Sequence, residues 1–452
     1  AQCLLLTWAA LAVVALARLP TDLPAYGRLV EYWGAPRPFN LGGDWNVGAL
    51  LSLYLLIPVL LYGLPTFLMG FSFTVLQRAV HDDPRTSGRK VGLLQAANIA
   101  GCVAGSLLTG LVFLDRWGTA GTLRVIVALG LVFAGIGLAR ATSRRKVAAL
   151  AAAIVLSLAA LPGQRALWLR LHATDPDGPA MVEEDATGMA ALIPAGGRWA
   201  LWVNGRTNSS LPFGGFHTLL GAVPAVVHPA PREVAIIGLG SGDTAWAAAS
   251  RRATHRVRVF EICAPQIALL RGLARTPDAP RTLTAFLQDP RIRLSVQDGR
   301  SALALEDRRY DLIEMDALFP SSPYSGNLYS LEFYALCARR LKPGGIMCSW
   351  APKPRVADTF RAAFPHVVEM RNGQLLLGSN EPIVADLAAV RARMEAEDVA
   401  SYLGANTARK VLEAVEGARA MGKRPNGDLN RDLFPRDEFK GGGEAAGASD
   451  GS

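Results

Sequence analysis

Acidic side chains stand beside a glycine-rich loop, at positions where a chain can bind a small molecule. The loop Gly238-Leu239-Gly240-Ser241-Gly242 separates a predicted strand from a predicted helix, and Glu261 lies 21 positions after Gly240, at the end of the next strand. Glycines let the backbone approach a ligand, and an acid at this spacing accepts hydrogen bonds from a ribose diol in doubly wound folds. The pattern predicts a nucleoside site, and a tight turn with an exposed glutamate is the alternative.

Two aspartates follow later strands and are predicted to face the same crevice. Asp298, in Gln297-Asp298-Gly299-Arg300, can accept a hydrogen bond from an adenine amino group, with Gly299 beside it. A turn or a helix N-cap is the alternative role of Asp298. Asp316 ends the fourth strand and could orient or deprotonate an amine nucleophile. Structural N-capping is again the alternative.

The elements that must position these residues alternate as strand, helix and strand after Pro231. Continuous apolar runs are typical of buried parallel strands, whose ligands lie at the carboxyl ends. The predicted strands are 234–237, 257–260, 292–296, 312–315 and 346–350, with a closing hairpin of 367–370 and 374–377; helices are predicted at 243–251 and 331–341. A hairpin of 190–193 and 199–203 precedes this open, mostly parallel α/β sheet.

The first third of the chain is predicted to be a helical membrane domain. A helix needs about 20 consecutive apolar residues to cross the bilayer core. The candidate segments are 3–19, 47–76, 91–114, 122–139 and the shorter 147–161. The segment 47–76 contains Pro58 and Pro65, which predict a kink or a broken helix.

Basic residues give the expected orientation of that domain. Most of the formal net charge of +9 lies in the first 161 residues, which hold 13 Lys and Arg against six Asp and Glu. The clusters within 77–90 and 140–146 are expected on the cytoplasmic side, with a short external turn between 91–114 and 122–139. If 147–161 spans the bilayer, the rest of the chain lies outside; if it lies in the interface, the rest stays cytoplasmic.

Other chemistry is not indicated. The later two thirds carry little net charge and no basic stripe with interleaved aromatic residues, so no nucleic-acid partner is expected. The five cysteines include no CxxC pair, and the six histidines include no HExxH or HxxxH pair. We therefore expect neither a metal site nor a disulfide framework.

The ordered series of motifs resembles the spermidine synthase family, relatives of class I S-adenosylmethionine-dependent methyltransferases. It comprises GLGSG at 238–242, the strand-end Glu261, QDGR at 297–300, YDLIEMD at 310–316, LYSLEFY at 328–334 and LKPGG at 341–345. LWVNGR at 201–206 and FHTLLGAVPAVVHP at 216–229 are similar to the family's small N-terminal β-domain and the helix after it. The segments 64–73, 95–110 and 430–439 resemble bacterial proteins that fuse a multi-span membrane region to this domain.

The resemblance implies a donor, an acceptor and a role for each site residue. The co-substrate would be decarboxylated S-adenosylmethionine or S-adenosylmethionine, and the acceptor a small amine such as putrescine. The implied nucleoside-binding residues are Gly238, Gly240, Ser241, Gly242, Glu261, Asp298 and Gly299, the implied catalytic residue is Asp316, and the implied acceptor-site residues are Phe216, His217, Phe319 and Tyr324.

Three departures from the family's pattern affect the acceptor side. Ser241 stands where the family carries a loop Asp, and Phe319 where it carries a second Asp after the catalytic one. Phe216-His217-Thr218 replaces a Tyr-His/Gln-Glu triplet. A buried ammonium group that loses a partner loses about 1–3 kcal/mol or more. The nucleoside half of the site is therefore expected to be intact and the polyamine half depleted, with His217 either assisting acid–base chemistry or merely packed.

We predict an α-helical transmembrane domain (1–162), a small β-hairpin domain (175–215), a Rossmann-like domain of the class I methyltransferase type (216–385), a C-terminal helical extension (386–440) and a disordered tail (441–452). The leading hypothesis is a membrane-anchored aminopropyltransferase-like enzyme. The alternatives are a methyltransferase, and a catalytically silent module in a membrane complex. The expected partners are a small amine, the lipid bilayer and, as a homodimer, a second copy. The expected location is the inner cell membrane, with a cytoplasmic second half if it is catalytic.

Overall fold

The computed structural model describes residues 1–18, 55–80, 84–140, 143–172, 174–316, 318–322, 324–422 and 427–439. These residues divide into two compact units, one ending at Ile193 and the other beginning at Pro194. The predicted disordered tail (441–452) and the first part of the predicted span 47–76 lie outside the described residues. The predicted domain boundaries therefore stay predictions.

The first unit is built mainly from helices. They are α1 (Gln2–Arg18), α2 (Leu64–Val80), α3 (Pro84–Leu108), α4 (Leu114–Arg140), α5 (Arg144–Ala160) and α6 (Gln164–Leu171), with π-helical turns at Val59–Gly63 and Thr109–Phe113. Large apolar side chains cover its surface: Phe67 is 67% exposed and Leu111 is 71% exposed. Such a surface is typical of helices that face lipid rather than water.

Two helical stretches in the described residues are long and apolar enough to cross a membrane, Val59–Val80 and Arg85–Arg140. A third would be Arg144–Ala160 together with Gln164–Leu171, a pair bent by 72°. Five apolar segments were expected from the sequence, and α1 is a shorter apolar helix. Length and composition thus support two to three spans among the described residues.

The long stretch Arg85–Arg140 is broken at Gly118, which has a φ of 61°. The break lies between the segments 91–114 and 122–139, where the sequence predicts a turn. A Cβ atom at Gly118 would lie 2.8 Å from the ends of the Gln164 and Glu184 side chains, so these ends would have to shift for a larger residue. The Glu184 carboxylate also accepts a hydrogen bond from the indole N–H of Trp168 at 2.7 Å.

Four short strands follow the helical segment in the sequence and precede the strands of the large sheet. Strand β1 (Met181–Asp185) pairs antiparallel with β2 (Gly188–Ala195), and β3 (Arg198–Val203) pairs antiparallel with β4 (Arg206–Leu211). The predicted strand segments 190–193 and 199–203 lie within β2 and β3. The boundary between the two compact units falls inside β2.

The second unit contains an eight-stranded sheet with strand order β12-β10-β11-β9-β8-β5-β6-β7. Its strands are β5 (Glu233–Ile237), β6 (Arg256–Glu261), β7 (Ile292–Val296), β8 (Tyr310–Met315), β9 (Leu341–Trp350), β10 (His366–Met370), β11 (Leu375–Ser379) and β12 (Arg419–Met421). Strands β5 to β9 are parallel, and β10 to β12 add an antiparallel edge. The predicted parallel strands and closing hairpin are confirmed. The apolar runs of β5 and β8 are buried in the centre of the sheet, whereas β7 lies at its edge and is partly exposed.

Helices cover the sheet. They are α7 (Phe216–Val227), α8 (Asp243–Ala248), α9 (Ala264–Leu273), α10 (Arg281–Gln288), α11 (Gly299–Leu305), α12 (Leu331–Arg340), α13 (Pro354–Ala363), α14 (Leu387–Glu395), α15 (Glu397–Glu416) and α16 (Arg436–Phe439). Two predicted bounds were wrong. The helix after the glycine loop ends at Ala248 rather than Arg251, and β9 already begins at Leu341, so the LKPGG segment lies within a strand.

Candidate active site

The glycine loop joins the end of β5 to the start of α8. Gly240 has a φ of 53° and Gly242 a φ of 95°, which glycine adopts without strain. A Cβ atom at Gly242 would lie 2.5 Å from the Phe286 ring, and one at Gly240 would lie 3.1 Å from Asp316 Oδ2. The loop therefore needs glycine both for its backbone conformation and for its contact with the catalytic candidate.

Glu261 ends β6 directly beside this loop. Its carboxylate accepts the backbone N–H of Leu239 at 2.9 Å and that of Cys263 at 2.8 Å. Burial raises the pKa of Glu261, and the two backbone hydrogen bonds oppose that rise. The predicted neighbourhood of Glu261 and the glycine loop is thus present, while its contact with a ribose stays a prediction.

Asp298 and Gly299 lie at the start of α11. The Asp298 carboxylate accepts the backbone N–H of Ser301 at 2.6 Å, so Asp298 is the N-cap of this helix. Gly299 is buried, and a Cβ atom there would lie 2.8 Å from Ile237. N-capping, the alternative considered for Asp298, is therefore realised, and the adenine contact stays a prediction.

Asp316, the residue after β8, is held by two side chains. Its Oδ1 lies 2.7 Å from Nδ1 of His217 on α7, and its Oδ2 lies 2.8 Å from the Thr244 hydroxyl on α8. The side chain of Asp316 is 5% exposed and that of His217 is 25% exposed. Two residues that the sequence analysis placed in separate roles thus form one hydrogen-bonded pair.

Aromatic rings form a wall next to this pair. Trp350, the last residue of β9, makes edge contacts with Phe216 and Phe319, with ring centroids 6.4 and 4.7 Å apart. Tyr324, a fourth predicted acceptor-site residue, has a ring that is 89% exposed. The structure therefore brings Phe216, His217 and Phe319 together, adds Trp350, and leaves the Tyr324 ring in solvent.

Two further carboxyl groups lie in the same region and were not predicted as site residues. Asp243, the first residue of α8, accepts hydrogen bonds from the Thr218 hydroxyl at 2.6 Å and from the Gly214 N–H at 3.3 Å. Glu314, on β8, is 1% exposed, and its two carboxyl oxygens have no hydrogen-bond partner in the described part of the chain. Neither residue could be recognised as a site residue from the sequence, because an acid at a helix start or within a strand is common without any function.

The four carboxyl groups influence one another. Burial raises the pKa of Asp243 to about 6 and that of Glu314 well above its ordinary value, and the nearby Asp316 charge adds to each rise. The same Asp316 charge also raises the pKa of Glu261. Within the described ranges, no Lys or Arg forms an ion pair with any of these four groups. A cation bound among these carboxyl groups would oppose these rises and favour their charged forms.

Ser241, in the middle of the glycine loop, is 1% exposed, and its hydroxyl has no hydrogen-bond partner among the described residues. A buried hydroxyl without a partner costs free energy, which a bound molecule can recover. Among the residues that the structure covers, no group of three or more His, Cys, Asp or Glu side chains could hold a metal ion.

A C-terminal strap, residues 427–439, holds the loop that follows Asp316. The Glu438 carboxylate accepts the backbone N–H groups of Tyr324 at 2.8 Å and of Gly326 at 3.2 Å. The carbonyl of Asn430 accepts the N–H of Leu331, at the start of α12, at 2.9 Å. The strap thus fixes the backbone of one wall of the crevice from outside.

A parallel sheet with a glycine loop after β5, an acid at the end of the neighbouring β6 and a second acid after β8 defines an α/β domain of the doubly wound class. Residues 214–360 match the family model described as "Spermine/spermidine synthase domain". This part of the chain is similar to that domain.

Two curated proteins are also similar to part of the chain. The chain is 32% identical over 132 residues to a polyamine aminopropyltransferase of Nitrosomonas europaea, covering 29% of this chain and 39% of that protein. It is 32% identical over 170 residues to one of Alkaliphilus metalliredigens, covering 35% and 57%. The chain thus spans between about two fifths and three fifths of these relatives' length. A solved spermidine synthase from Thermotoga maritima is similar with a TM-score of 0.40 and 20% identity, over 50% of this chain and 84% of that one.

Proposed function

We propose that this chain transfers an aminopropyl group from decarboxylated S-adenosylmethionine to a small amine, and that its first unit anchors it in a membrane. The observation that carries the proposal is the cluster of buried carboxyl groups of Asp243, Glu261, Glu314 and Asp316, without an ion-paired Lys or Arg in the described residues. Both substrates of such a reaction are cations, one a sulfonium and the other an ammonium. A negative, desolvated crevice binds both more strongly than water does.

The roles of the residues follow from their places in the crevice. The glycine loop and Glu261 hold the nucleoside, and Asp298 takes its adenine at the mouth of the crevice. The rings of Phe216, Phe319 and Trp350 accept the methylene chain of the amine and stabilise its ammonium group by cation–π attraction. Asp316 orients the attacking nitrogen toward the carbon next to the sulfonium, which is the main contribution a positioned carboxylate can make to this reaction.

The membrane anchor is supported by the apolar surface of the first unit and by the helical stretches Val59–Val80 and Arg85–Arg140. Because the adenosyl donor is made inside cells, catalysis requires the second unit to face the cytoplasm. We therefore propose a multi-pass protein of the inner cell membrane with a cytoplasmic transferase domain.

A methyltransferase is the second candidate, and Ser241 is the observation that favours it. S-adenosylmethionine has a carboxylate that the decarboxylated donor lacks. The neutral Ser241 hydroxyl does not repel this carboxylate, so the loop can accept either donor. A silent binding module is the third candidate, and it predicts that no adenosyl compound binds.

Calorimetry on the full chain in nanodiscs separates these functions. Decarboxylated S-adenosylmethionine, S-adenosylmethionine and methylthioadenosine are titrated separately, and putrescine-dependent release of methylthioadenosine is then assayed. Binding of the decarboxylated donor together with that release supports aminopropyl transfer. Binding of S-adenosylmethionine alone favours the methyltransferase, and no binding of any of the three refutes both enzymes.

A matched pair of variants checks where the nucleoside binds. Glu261→Gln keeps the shape of the side chain but removes its charge, and we expect at least a tenfold loss of donor affinity. Glu395→Gln alters an exposed carboxylate on α14 and should leave the affinity unchanged. Equal affinities in the two variants would show that Glu261 does not bind the donor.

A further inference from the structure

The side chains of His217 and Asp316 lie 99 residues apart in sequence and are joined at 2.7 Å. Asp316 has a second contact, because its other oxygen lies 2.8 Å from the Thr244 hydroxyl. Both carboxylate oxygens are therefore already engaged, and the side chain is only 5% exposed. Oδ1 of Asp316 is thus placed to exchange a proton with the imidazole.

Acidic groups lie around this pair. Asp243 on α8 interacts electrostatically with both His217 and Asp316. Asp316 also interacts with Glu261 at the end of β6, Glu314 on β8, Tyr329 before α12 and Cys348 on β9. A positive imidazole in direct contact with the Asp316 carboxylate is stabilised by its negative charge.

We propose that His217 and Asp316 act as one acid–base unit that takes the proton of the acceptor ammonium, with the charge carried on the imidazole. This inference rests on the proposed aminopropyl transfer and adds the residue that receives the proton. The ammonium first loses a proton to the pair, which leaves a neutral amine. The nitrogen lone pair then forms the new C–N bond, the C–S bond breaks, and its electron pair stays on sulfur as a neutral thioether.

This arrangement gives His217 the role of a base and Asp316 that of its partner. A carboxylate alone is a weak base toward an alkylammonium ion, and an imidazole is closer to it in basicity. A carboxylate within hydrogen-bond distance raises that basicity further and fixes the ring in one orientation.

The first test is an NMR titration of histidine-labelled full-length protein in nanodiscs, with the His217 signal assigned by its loss in His217→Gln. We expect the midpoint of the imidazole titration to fall by about one pH unit or more in Asp316→Asn, because the ring loses an opposite charge in direct contact. Asp278→Asn, at an exposed position outside the site, should leave the midpoint unchanged. An unchanged midpoint in Asp316→Asn refutes the pair.

The second test is the pH dependence of kcat/KM with decarboxylated S-adenosylmethionine and putrescine. In His217→Gln we expect the maximum of kcat/KM to fall roughly 100-fold. We also expect the decline of kcat/KM at acid pH to move to lower pH, because only a carboxylate is left to accept the proton. His366→Gln, on β10, should keep both. A uniform loss without movement of the acid limb would assign His217 a packing role.

The two tests separate the pair from the reaction. If the wild type transfers the aminopropyl group but Asp316→Asn leaves the imidazole midpoint unchanged, the acid–base unit alone is refuted. If Asp316→Asn lowers the imidazole midpoint but the wild type does not transfer the aminopropyl group, the proposed function is refuted, and with it the proton transfer from an amine.

Discussion

Arg300 and Asp432 form a two-point ion pair between residues that are 132 positions apart in sequence. Nη1 and Oδ1 lie 2.7 Å apart, and Nη2 and Oδ2 lie 2.5 Å apart. Parallel guanidinium–carboxylate contacts are stronger and more directional than a single contact. The pair ties the C-terminal strap to α11, whose first turn is capped by Asp298.

We expect Asp432→Asn to loosen the strap and, through it, the loop after Asp316. The pair is partly exposed, so its loss should cost about 1 kcal/mol, or roughly a fivefold faster hydrogen exchange at the backbone amides of Tyr324 and Gly326. Glu413→Gln removes a comparable exposed ion pair on α15 and serves as the control. Exchange rates that are equal in both variants would mean that Glu438 holds the loop independently.

Asp316→Asn should abolish most of the proposed aminopropyl transfer. The amide keeps the size of the side chain but cannot carry the charge that orients the amine and its proton acceptor, so we expect kcat to fall between about 100-fold and 10,000-fold. Donor affinity measured by calorimetry should change far less. Full activity in Asp316→Asn would remove this residue from the mechanism.

Ser241→Asp should sharpen discrimination between the two adenosyl donors. A carboxylate in the loop attracts the terminal ammonium of the decarboxylated donor and repels the carboxylate of S-adenosylmethionine. We expect the ratio of the two affinities to change at least tenfold, about 1.4 kcal/mol. Ser241→Asn has the same size without charge and should leave the ratio unchanged; a tenfold change in that variant too would exclude the electrostatic explanation.

The buried carboxyl of Asp243 predicts a pH dependence of stability. Its pKa is raised from 3.8 to about 6, chiefly by burial, so the folded protein holds this proton more tightly than the unfolded chain does. The stability that the protonated form contributes is therefore complete below about pH 4 and is lost as pH rises through 6, a loss of about 3 kcal/mol.

Asp243→Asn cannot titrate and should not lose that contribution. The Tm of the variant relative to the wild type should therefore rise by a few degrees between pH 4.5 and pH 7.5. For Asp278→Asn, at an exposed position, the Tm difference from the wild type should be the same at both pH values. If the Tm difference for Asp243→Asn is also independent of pH, Asp243 is ionised throughout this range.

A reporter fused near Asp175 should be on the cytoplasmic side. This residue follows α6, the second helix of the bent pair that ends the helical segment. A phosphatase and a fluorescent-protein fusion at the same site give opposite signals, so they report the side of the membrane directly. A fusion on the external side would separate the second unit from its donor and would make the transferase improbable.

The sheet, and the meeting of the glycine loop with Glu261 and Asp316, could be predicted because their signals are local. Continuous apolar runs mark β5, β6 and β8, and the glycine loop, Glu261 and Asp316 follow strand ends directly. The topology of a parallel sheet then brings these ends to one edge. No long-range information is needed for this part.

The rest of the site depends on contacts between distant segments. Thr244 and His217 meet Asp316 only because α7 and α8 pack side by side over β8, and no periodicity in the sequence shows that. In the sequence, Glu314 is an ordinary position within a strand and Trp350 is the last residue of one. Only the structure shows that both lie near Asp316 or its aromatic neighbours. The contacts of the strap are not visible in the sequence either, since its partners lie between 71 and 132 residues away.

The contact between Gly240 and Asp316 links two positions 76 residues apart in a single steric requirement. A Cβ atom at 240 would lie 3.1 Å from the carboxylate oxygen, so a larger residue there requires the Asp316 side chain to shift by a few tenths of an ångström. In a homologue with a larger residue at the first position, the side chain at the second should therefore be displaced or different. The φ of 53° at Gly240 independently favours glycine at the first position.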